Sequence, residues 1–337
     1  MGEATVMFKL AKLSLKLKLK YLLGLLGKNV VITHVDIDGI CCGAILLRYF
    51  KKAEVIFCSA GRVHEVLKVL PGRRRTLVIA DLGLNDRHLE ETVKLLEKLE
   101  KRGWSIYWLD HHRWSREALE SVKKVVDLLD VDTSLVGGEV VCKHFGTDDF
   151  AMDLAFIARD ADTIVRRDER TRTYYYALQG GGFKARRYLL NLLASGVWMD
   201  EKLKSWAAKG EKIIELSRKV GETAEVKRTA KGSRYAVLDL RGRKLNGVEA
   251  GNAAIRALGL DFCVVLYRND RISMYRSEKS SVDVLGFVRK RGGGGHPYSC
   301  GLALELSFKS RLLSRLLGRR YFPEELEKLL KEVEIEL

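Results

Sequence analysis

The sequence predicts an α/β protein: a mainly parallel sheet flanked by helices, joined by a helical linker to a smaller α+β carboxyl-terminal domain. Three observations carry this. Short apolar, β-branched or aromatic runs at 29–32, 54–58, 76–80, 105–109 and 125–129 alternate with helical patterns at 43–51, 87–102 and 116–124, as in successive βαβ units. From about 139 to 222 the reading turns helical. Strand-like runs then return at 235–240, 261–267 and 272–276, with helical patterns over 248–257 and 281–290 and a last strand over 301–308. At 337 residues the chain exceeds one ordinary core. The divisions expected are 1–190 for the first domain with a basic amino-terminal helix, 191–225 for the linker and 226–337 for the second domain.

Each element has its own justification. The first 28 residues interleave lysines 9, 12, 16, 18 and 20 with leucines, so they lack the uninterrupted apolar core of a signal peptide or membrane span. A helix packed on the first domain or on another subunit is expected there, which leaves homo-oligomerisation open. The run Asn29-Val30-Val31-Ile32 leads into Thr-His-Val-Asp-Ile-Asp-Gly at 33–39, with a turn at Gly39. Leu77-Val78-Ile79-Ala80 ends at Asp81, and Ile106-Tyr107-Trp108-Leu109 ends at Asp110-His111-His112. Continuous apolar runs of this kind suit strands buried on both faces. In the helical stretch Gly180-Gly181-Gly182 marks a break, and 200–219 reads as one long connecting helix. From Pro323 onward the chain is acidic and helical in pattern.

Composition narrows the function classes. A net charge of +16 and a pI near 9.5 favour a polyanionic partner such as single-stranded nucleic acid. Six cysteines without a CxxC pair fit neither a zinc ribbon nor a disulfide framework, so a reduced, cytoplasmic location is expected, with no membrane partner.

A lone aspartate at a strand end is more often a helix cap or turn former than a ligand. Here the pattern repeats. His34, Asp36 and Asp38 stand at alternate positions after one strand, Asp81 and Asp110-His111 after two others, and Asp160 and Asp162 lie in Arg159-Asp160-Ala161-Asp162-Thr163. Ligands in open α/β sheets collect beyond the carboxyl ends of the strands. These residues supply enough carboxylate and imidazole for two octahedral ions sharing a bridging ligand, and mixed Asp and His ligation suits Mn2+ better than Mg2+. Two such ions can hold both the attacking and the leaving oxygen of a phosphoryl transfer.

At these residues the sequence resembles the DHH phosphoesterase superfamily. Thr-His-Val-Asp-Ile-Asp-Gly looks like its first motif, Asp81 its second, Asp110-His111-His112 its third, and Asp162-Thr163, or Asp160, its fourth. The stretch from Met274 to Gly301, with its Arg276-Ser277 and Gly-Gly-Gly-Gly-His at 292–296, looks like the signature of the DHH-associated carboxyl-terminal domain. The resemblance implies that His34, Asp36, Asp38, Asp81, His111 and Asp162 ligate two Mn2+ ions per site, with Mg2+ as an alternative. Asp81 would be the bridge. Asp110 would support the histidines or the metal shell, and His112 would touch the phosphate. In the second domain Gly293, Gly294, Gly295, His296 and Arg276 would grip the substrate phosphate, with Tyr298 placed to stack a base. The His-x-Asp-x-Asp spacing is closer to RecJ-type chains than to the pyrophosphatase branch.

The activity this implies is a manganese-dependent exonuclease on single-stranded DNA or RNA, 3′ to 5′, releasing nucleoside 5′-monophosphates. The short archaeal RecJ-like group that associates with the Hef repair helicase is the match within that class, which would place the chain in DNA repair. A small-nucleotide phosphoesterase, acting on nanoRNA, cyclic dinucleotides or 3′-phosphoadenosine phosphate, is the alternative. A catalytically silent scaffold is a third reading, set against the full ligand set. Trp114 and Tyr174-Tyr175-Tyr176 could stack bases or pack a core.

Overall fold

The computed structural model describes residues 3–23, 27–59, 61–163 and 166–337, with side chains from residue 12 onward. The chain divides into two compact units, 1–207 and 208–337. The division falls inside one helix.

The first unit runs α1 (Glu3–Leu22), β1 (Asn29–Thr33), α2 (Ile37–Phe50), β2 (Ala53–Phe57), α3 (Val63–Leu67) and β3 (Thr76–Ala80). A 3-10 turn (Asp86–His88) then leads into α4 (Leu89–Glu100), β4 (Ser105–Asp110), α5 (Arg116–Lys123) and β5 (Leu128–Val131). Four helices follow: α6 (Gly137–Phe145), α7 (Asp149–Asp162), α8 (Glu169–Ala194) and α9 (Glu201–Glu222), of which only the first two turns of α9 belong to this unit.

The five strands form an all-parallel sheet in the order β2-β1-β3-β4-β5. Both faces are buried, which is why these strands read as unbroken apolar runs. Val31, Val78 and Leu109 enter one core with α2, α6, α7 and α8. Val30, Ile32, Leu77, Ile79, Ile106 and Trp108 enter the other, with α3, α4 and α5. The expected amino-terminal helix packs on that second face: Leu17 of α1 is fully buried there, and Lys16 and Lys20 pair with Glu54. Because β1 lies between β2 and β3, the connections leaving β1 and β3 diverge at their carboxyl ends, where a crevice opens.

Several boundaries differ from the sequence reading. α2 begins at Ile37 rather than 43, because Asp36 caps it by accepting from the Gly39 amide at 3.0 Å. β5 starts at Leu128, since the Asp127 carboxylate accepts from the Ile106 amide at 2.6 Å and turns the preceding residues out of the ladder. The glycine triplet does mark a break: α8 is two helical stretches meeting at a kink at Gly182, whose φ 58° and ψ −135° are non-helical.

The second unit contains β6 (Lys227–Arg228), β7 (Arg234–Asp239), α10 (Gly247–Leu258), β8 (Phe262–Arg268), β9 (Arg271–Arg276) and α11 (Val284–Arg289). It closes with β10 (Gly294–His296), β11 (Ser299–Ala303), α12 (Phe308–Leu317) and α13 (Glu324–Glu336). Its mixed sheet has the order β10-β11-β9-β8-β7-β6, with β7 and β8 parallel and the other pairs antiparallel. The alternation of β8 sends Phe262, Val264 and Leu266 to a core with α11 and α13, and Cys263 and Val265 to a core with α10. The last strand is shorter than 301–308 implied. It ends at Ala303, and Ser307 caps α12 by accepting from the Ser310 amide at 3.2 Å. Among the described residues no helix is long and apolar enough to cross a membrane.

Candidate metal centre

Six of the residues singled out in the sequence meet beyond the carboxyl ends of β1, β3 and β4, where α7 also ends. His34 leaves β1, and its Nδ1 lies 2.7 Å from Asp36 Oδ2 and 4.0 Å from Asp81 Oδ2. Asp38 sits in the first turn of α2, wholly buried, and His111 Nε2 lies 3.8 Å from its Oδ2. Asp81 follows β3, with His111 Nε2 3.3 Å from its Oδ1. Asp162, the last residue of α7, brings its carboxylate to Asp38 and His111.

Two sets of three follow, each with one donor atom per residue and all donors within 4.8 Å: His34, Asp36 and Asp81, and Asp38, His111 and Asp162. Asp81 and His111 also group with His112 at that distance, which links the two sets. The backbone at Asp81 adopts a left-handed φ of 54°, a conformation that aspartate tolerates better than most residues and that gathers at functional sites.

The electrostatics show what the group lacks. Asp38 is pushed up to about 7, first by burial and then by the Asp36 charge, although the Gly137 and Gly138 amides work against this. Asp81 is raised well above the carboxylate range by burial and by Asp38, Asp36, Asp110 and Asp162. Its Oδ2 is buried and makes no hydrogen bond. Burial pushes the His111 imidazole down, leaving it neutral and able to donate a lone pair. Carboxylates that converge and repel one another, one orphaned oxygen and a neutral imidazole fit divalent ions with mixed oxygen and nitrogen donors.

Asp110 and Asp160 have other tasks in the geometry. Asp110 is fully buried, and both of its oxygens are engaged, Oδ1 with His112 Nδ1 at 2.8 Å and Oδ2 with Trp114 Nε1 at 2.7 Å. The bond to His112 raises that imidazole's pKa. Trp114 is thereby a clamp on Asp110, and it packs edge-on against Trp108 with centroids 4.8 Å apart. Asp160 accepts from the Arg167 and Asp168 amides at 2.9 and 3.1 Å, holding the chain after α7. Asp162 alone of the two faces the cluster. Residues two apart on a helix point to opposite sides.

Two glycines were not anticipated. Gly137 and Gly138 open α6 and donate their amides to Asp38 Oδ2 and Oδ1 at 2.9 and 2.6 Å. A Cβ on Gly137 would lie 2.7 Å from Asp81 Cβ and 3.1 Å from Asp38 Oδ2. The adjacent glycine pair at the mouth of a helical pattern was the available signal, since such pairs let backbone approach a ligand or side chain. Gly137→Ala is expected to cost roughly 1–3 kcal/mol by overpacking and to weaken divalent-metal binding at this candidate centre about tenfold or more. Thermal melts and metal titration of the purified variant test both. Arg186 of α8 was likewise unforeseen. Its Nε donates to the Val35 carbonyl at 2.7 Å and braces the loop that carries His34 and Asp36.

In the second unit, Arg276 ends β9 and its guanidinium lies over the Tyr298 ring, 4.8 Å from the centroid. Arg276 Nη1 donates to the Val282 carbonyl at 3.3 Å, while its buried Nε has no hydrogen-bond partner. Gly294, Gly295 and His296 form the edge strand β10, paired with β11, so the glycine run is a hairpin rather than an open loop. Gly295 at φ 133° and Gly293, where a Cβ would meet Gly301 O at 2.5 Å, require glycine for this close pairing. Tyr174, by contrast, is buried in the first unit's core, with its hydroxyl donating to the Trp198 carbonyl at 2.7 Å.

The comparisons with known proteins agree with this geometry. The family described as DHH family, N-terminal domain, matches residues 28–163. A 3′,5′-cyclic-nucleotide phosphodiesterase of Helicobacter pylori is 25% identical over 100 residues, which span 27% of this chain and 29% of that protein. Among solved structures, exonuclease RecJ bound to manganese is 16% identical with a TM-score of 0.55, covering 90% of this chain and 93% of that one. RecJ from Thermus thermophilus in complex with Mn2+ is 18% identical with a TM-score of 0.53, covering 87% of this chain and 51% of that one. The pGpG-specific phosphodiesterase PggH from Vibrio cholerae is 13% identical with a TM-score of 0.52, covering 86% and 98%. At these identities the structures share the fold. His34, Asp36, Asp38, Asp81, Asp110-His111-His112 and Asp162 all lie inside residues 28–163, the stretch of this chain that matches the DHH family's N-terminal domain.

Proposed function

We propose that this chain is a divalent-metal-dependent phosphodiesterase, and specifically an exonuclease that shortens single-stranded DNA or RNA from its 3′ end and releases nucleoside 5′-monophosphates. The observation that carries the reading is the convergence of His34, Asp36, Asp38, Asp81, His111 and Asp162 around a buried, unsatisfied Asp81 oxygen. His34, Asp36 and Asp81 would hold one Mn2+, and Asp38, His111 and Asp162 a second, with Asp81 between them. Ions held there supply Lewis-acid stabilisation of phosphoryl oxygens and lower the pKa of water.

The protein's own part is positioning. Asp110 holds His112 Nδ1, so Nε2 is the nitrogen left to donate to a non-bridging phosphate oxygen, and the raised pKa keeps that donor protonated. Asp110 acts through His112 and Trp114, so it is a positioning residue. The net charge of +16 supports a substrate with many phosphates, because affinity for a polyanion rises with each phosphate neutralised. In the second unit, Arg276 with its unpartnered Nε, His296 and Tyr298 are the side chains proposed to meet that substrate.

The test is incubation of the wild type and Asp110→Ala with manganese and end-labelled single strands from dinucleotides to oligomers of a few tens of residues. A ladder from long strands, slowed about 10- to 100-fold in the variant, is the expected outcome, and its direction reports polarity. The match to a cyclic-nucleotide phosphodiesterase supports a second reading, a phosphoesterase of small nucleotides. Hydrolysis confined to dimers or cyclic substrates would select that reading and sink the exonuclease.

A further inference from the structure

Outside the metal centre the first unit holds another convergence of metal-binding groups. His64 lies on α3, His88 closes the 3-10 turn, and Glu91 stands in the first turn of α4. The two imidazoles stack with centroids 3.9 Å apart and planes 19° from parallel. Glu91 Oε2 lies 4.0 Å from His64 Nε2 and 3.9 Å from His88 Nδ1. One donor atom from each residue falls within 4.8 Å of the others.

We propose that His64, His88 and Glu91 form a second metal site, of the zinc class, with two imidazoles, one carboxylate and a fourth position open to solvent. A ring stack by itself would explain the two histidines but not why one carboxylate oxygen lies about 4 Å from a nitrogen of each. Lys68 Nζ pairs with the other oxygen, Oε1, at 2.7 Å, which fixes the carboxylate and leaves Oε2 for the histidines. His64 is buried, and burial followed by the neighbouring His88 lowers its pKa, so its ring is neutral with a lone pair available. Two nitrogen donors with one carboxylate favour zinc over manganese or magnesium, and this donor set with an open position is one zinc adopts. The metal centre, richer in carboxylate, has the opposite preference.

Closure on an ion needs a small movement. Tetrahedral bonds of about 2.0–2.1 Å bring ligand atoms to roughly 3.3 Å from one another. The half-buried His88 ring must therefore turn out of the stack and Glu91 must swing inward, while buried His64 stays in place. The ion would tie α3 to the start of α4. It would also restrain the 82–88 segment that leaves Asp81, already held where Ser115 Oγ donates to Asp86 Oδ1 at 2.8 Å.

The test uses the full chain, stripped of metal, as wild type, His88→Ala and Glu91→Gln. Neither replaced side chain is buried, so the core is untouched. The readouts are zinc bound per chain by elemental analysis after equilibrium dialysis, the zinc-induced shift in Tm, and the visible absorption of the cobalt(II) form. The wild type is expected to bind one more zinc than either variant, to gain several degrees more in Tm, and to show the intense cobalt bands of four-coordinate geometry that both variants lose. Equal zinc stoichiometry and equal Tm shifts in the three proteins would overturn the proposal. Manganese-dependent hydrolysis, measured alongside, is expected to stay within about twofold in all three, so the fate of this site and that of the phosphodiesterase reading are scored separately.

Discussion

Asp81→Asn should lower metal-dependent hydrolysis at least about 1,000-fold, a loss of about 4 kcal/mol in transition-state stabilisation, and yet raise the Tm of the metal-free protein. The two effects have one cause. Asp81 is buried against Asp36, Asp38, Asp110 and Asp162, and its ionised form is disfavoured by burial and by every one of them. The amide keeps the shape and removes the charge, so the apo protein is relieved of repulsion that only a cation otherwise offsets. The same change removes a donor of the first set that also groups with His111 and His112. Melts in EDTA and rates in manganese measure both halves. A variant that loses activity but melts lower than wild type without metal would mean that Asp81 serves packing, and the electrostatic account would be discarded.

The second large effect is a pH dependence whose sign inverts on adding metal. Asp38 rises from an ordinary 3.8 to about 7 in the folded state, and Asp81 moves the same way. A carboxyl raised on folding binds its proton more tightly in the native state than in the unfolded one. Stability from these groups is therefore present at low pH and lost as pH climbs from the unfolded value to the folded one, at about 1.4 kcal/mol for each group per pH unit crossed. His112, also raised, acts in the same direction. His111, lowered by burial, acts oppositely, since the native state resists its protonation on the acid side. Surface pairs such as Lys94 with Glu90 are fully exposed and contribute little to the profile.

On the proposed reading manganese would bind the ionised carboxylates, so its effect should be small near pH 5 and large near pH 8. At a thousandfold excess over Kd the gain is about 4 kcal/mol. Melting curves at the two pH values, with EDTA or manganese, check this by subtraction, because groups remote from the site cancel. A manganese-induced change in Tm equal at both pH values would remove the support for ionisable ligands.

Much of this was legible without coordinates, and the reason is local. Strands buried on both faces need apolar side chains at every position, so β1, β3 and β4 appear as unbroken runs. A polar residue directly after such a run stands at the sheet's carboxyl edge, which placed His34, Asp81 and Asp110 on one rim before any packing was known. Asp36 and Asp38 follow His34 closely enough that they could not lie far from it.

What escaped the sequence depends on partners distant in the chain. Gly137 and Gly138 hold Asp38 from about 100 positions away, a relation that no local pattern carries. The choice between Asp160 and Asp162 turned on the orientation of α7 against α2 and α6, since a helix can aim only one of two alternate residues at the site. That Trp114 spends its Nε1 on Asp110 was likewise visible only in the folded chain. Alternating leucines at 302, 304 and 306 imitate a continuing strand, yet pairing with β9 stops at Ala303 and Ser307 caps a helix instead. Periodicity and strand-end chemistry, which residues carry within a few positions of themselves, were determined by the sequence alone. Which oxygen meets which donor was decided only when helices from distant stretches packed over the sheet, because hydrogen-bond geometry is settled at tenths of an ångström and packing sets it.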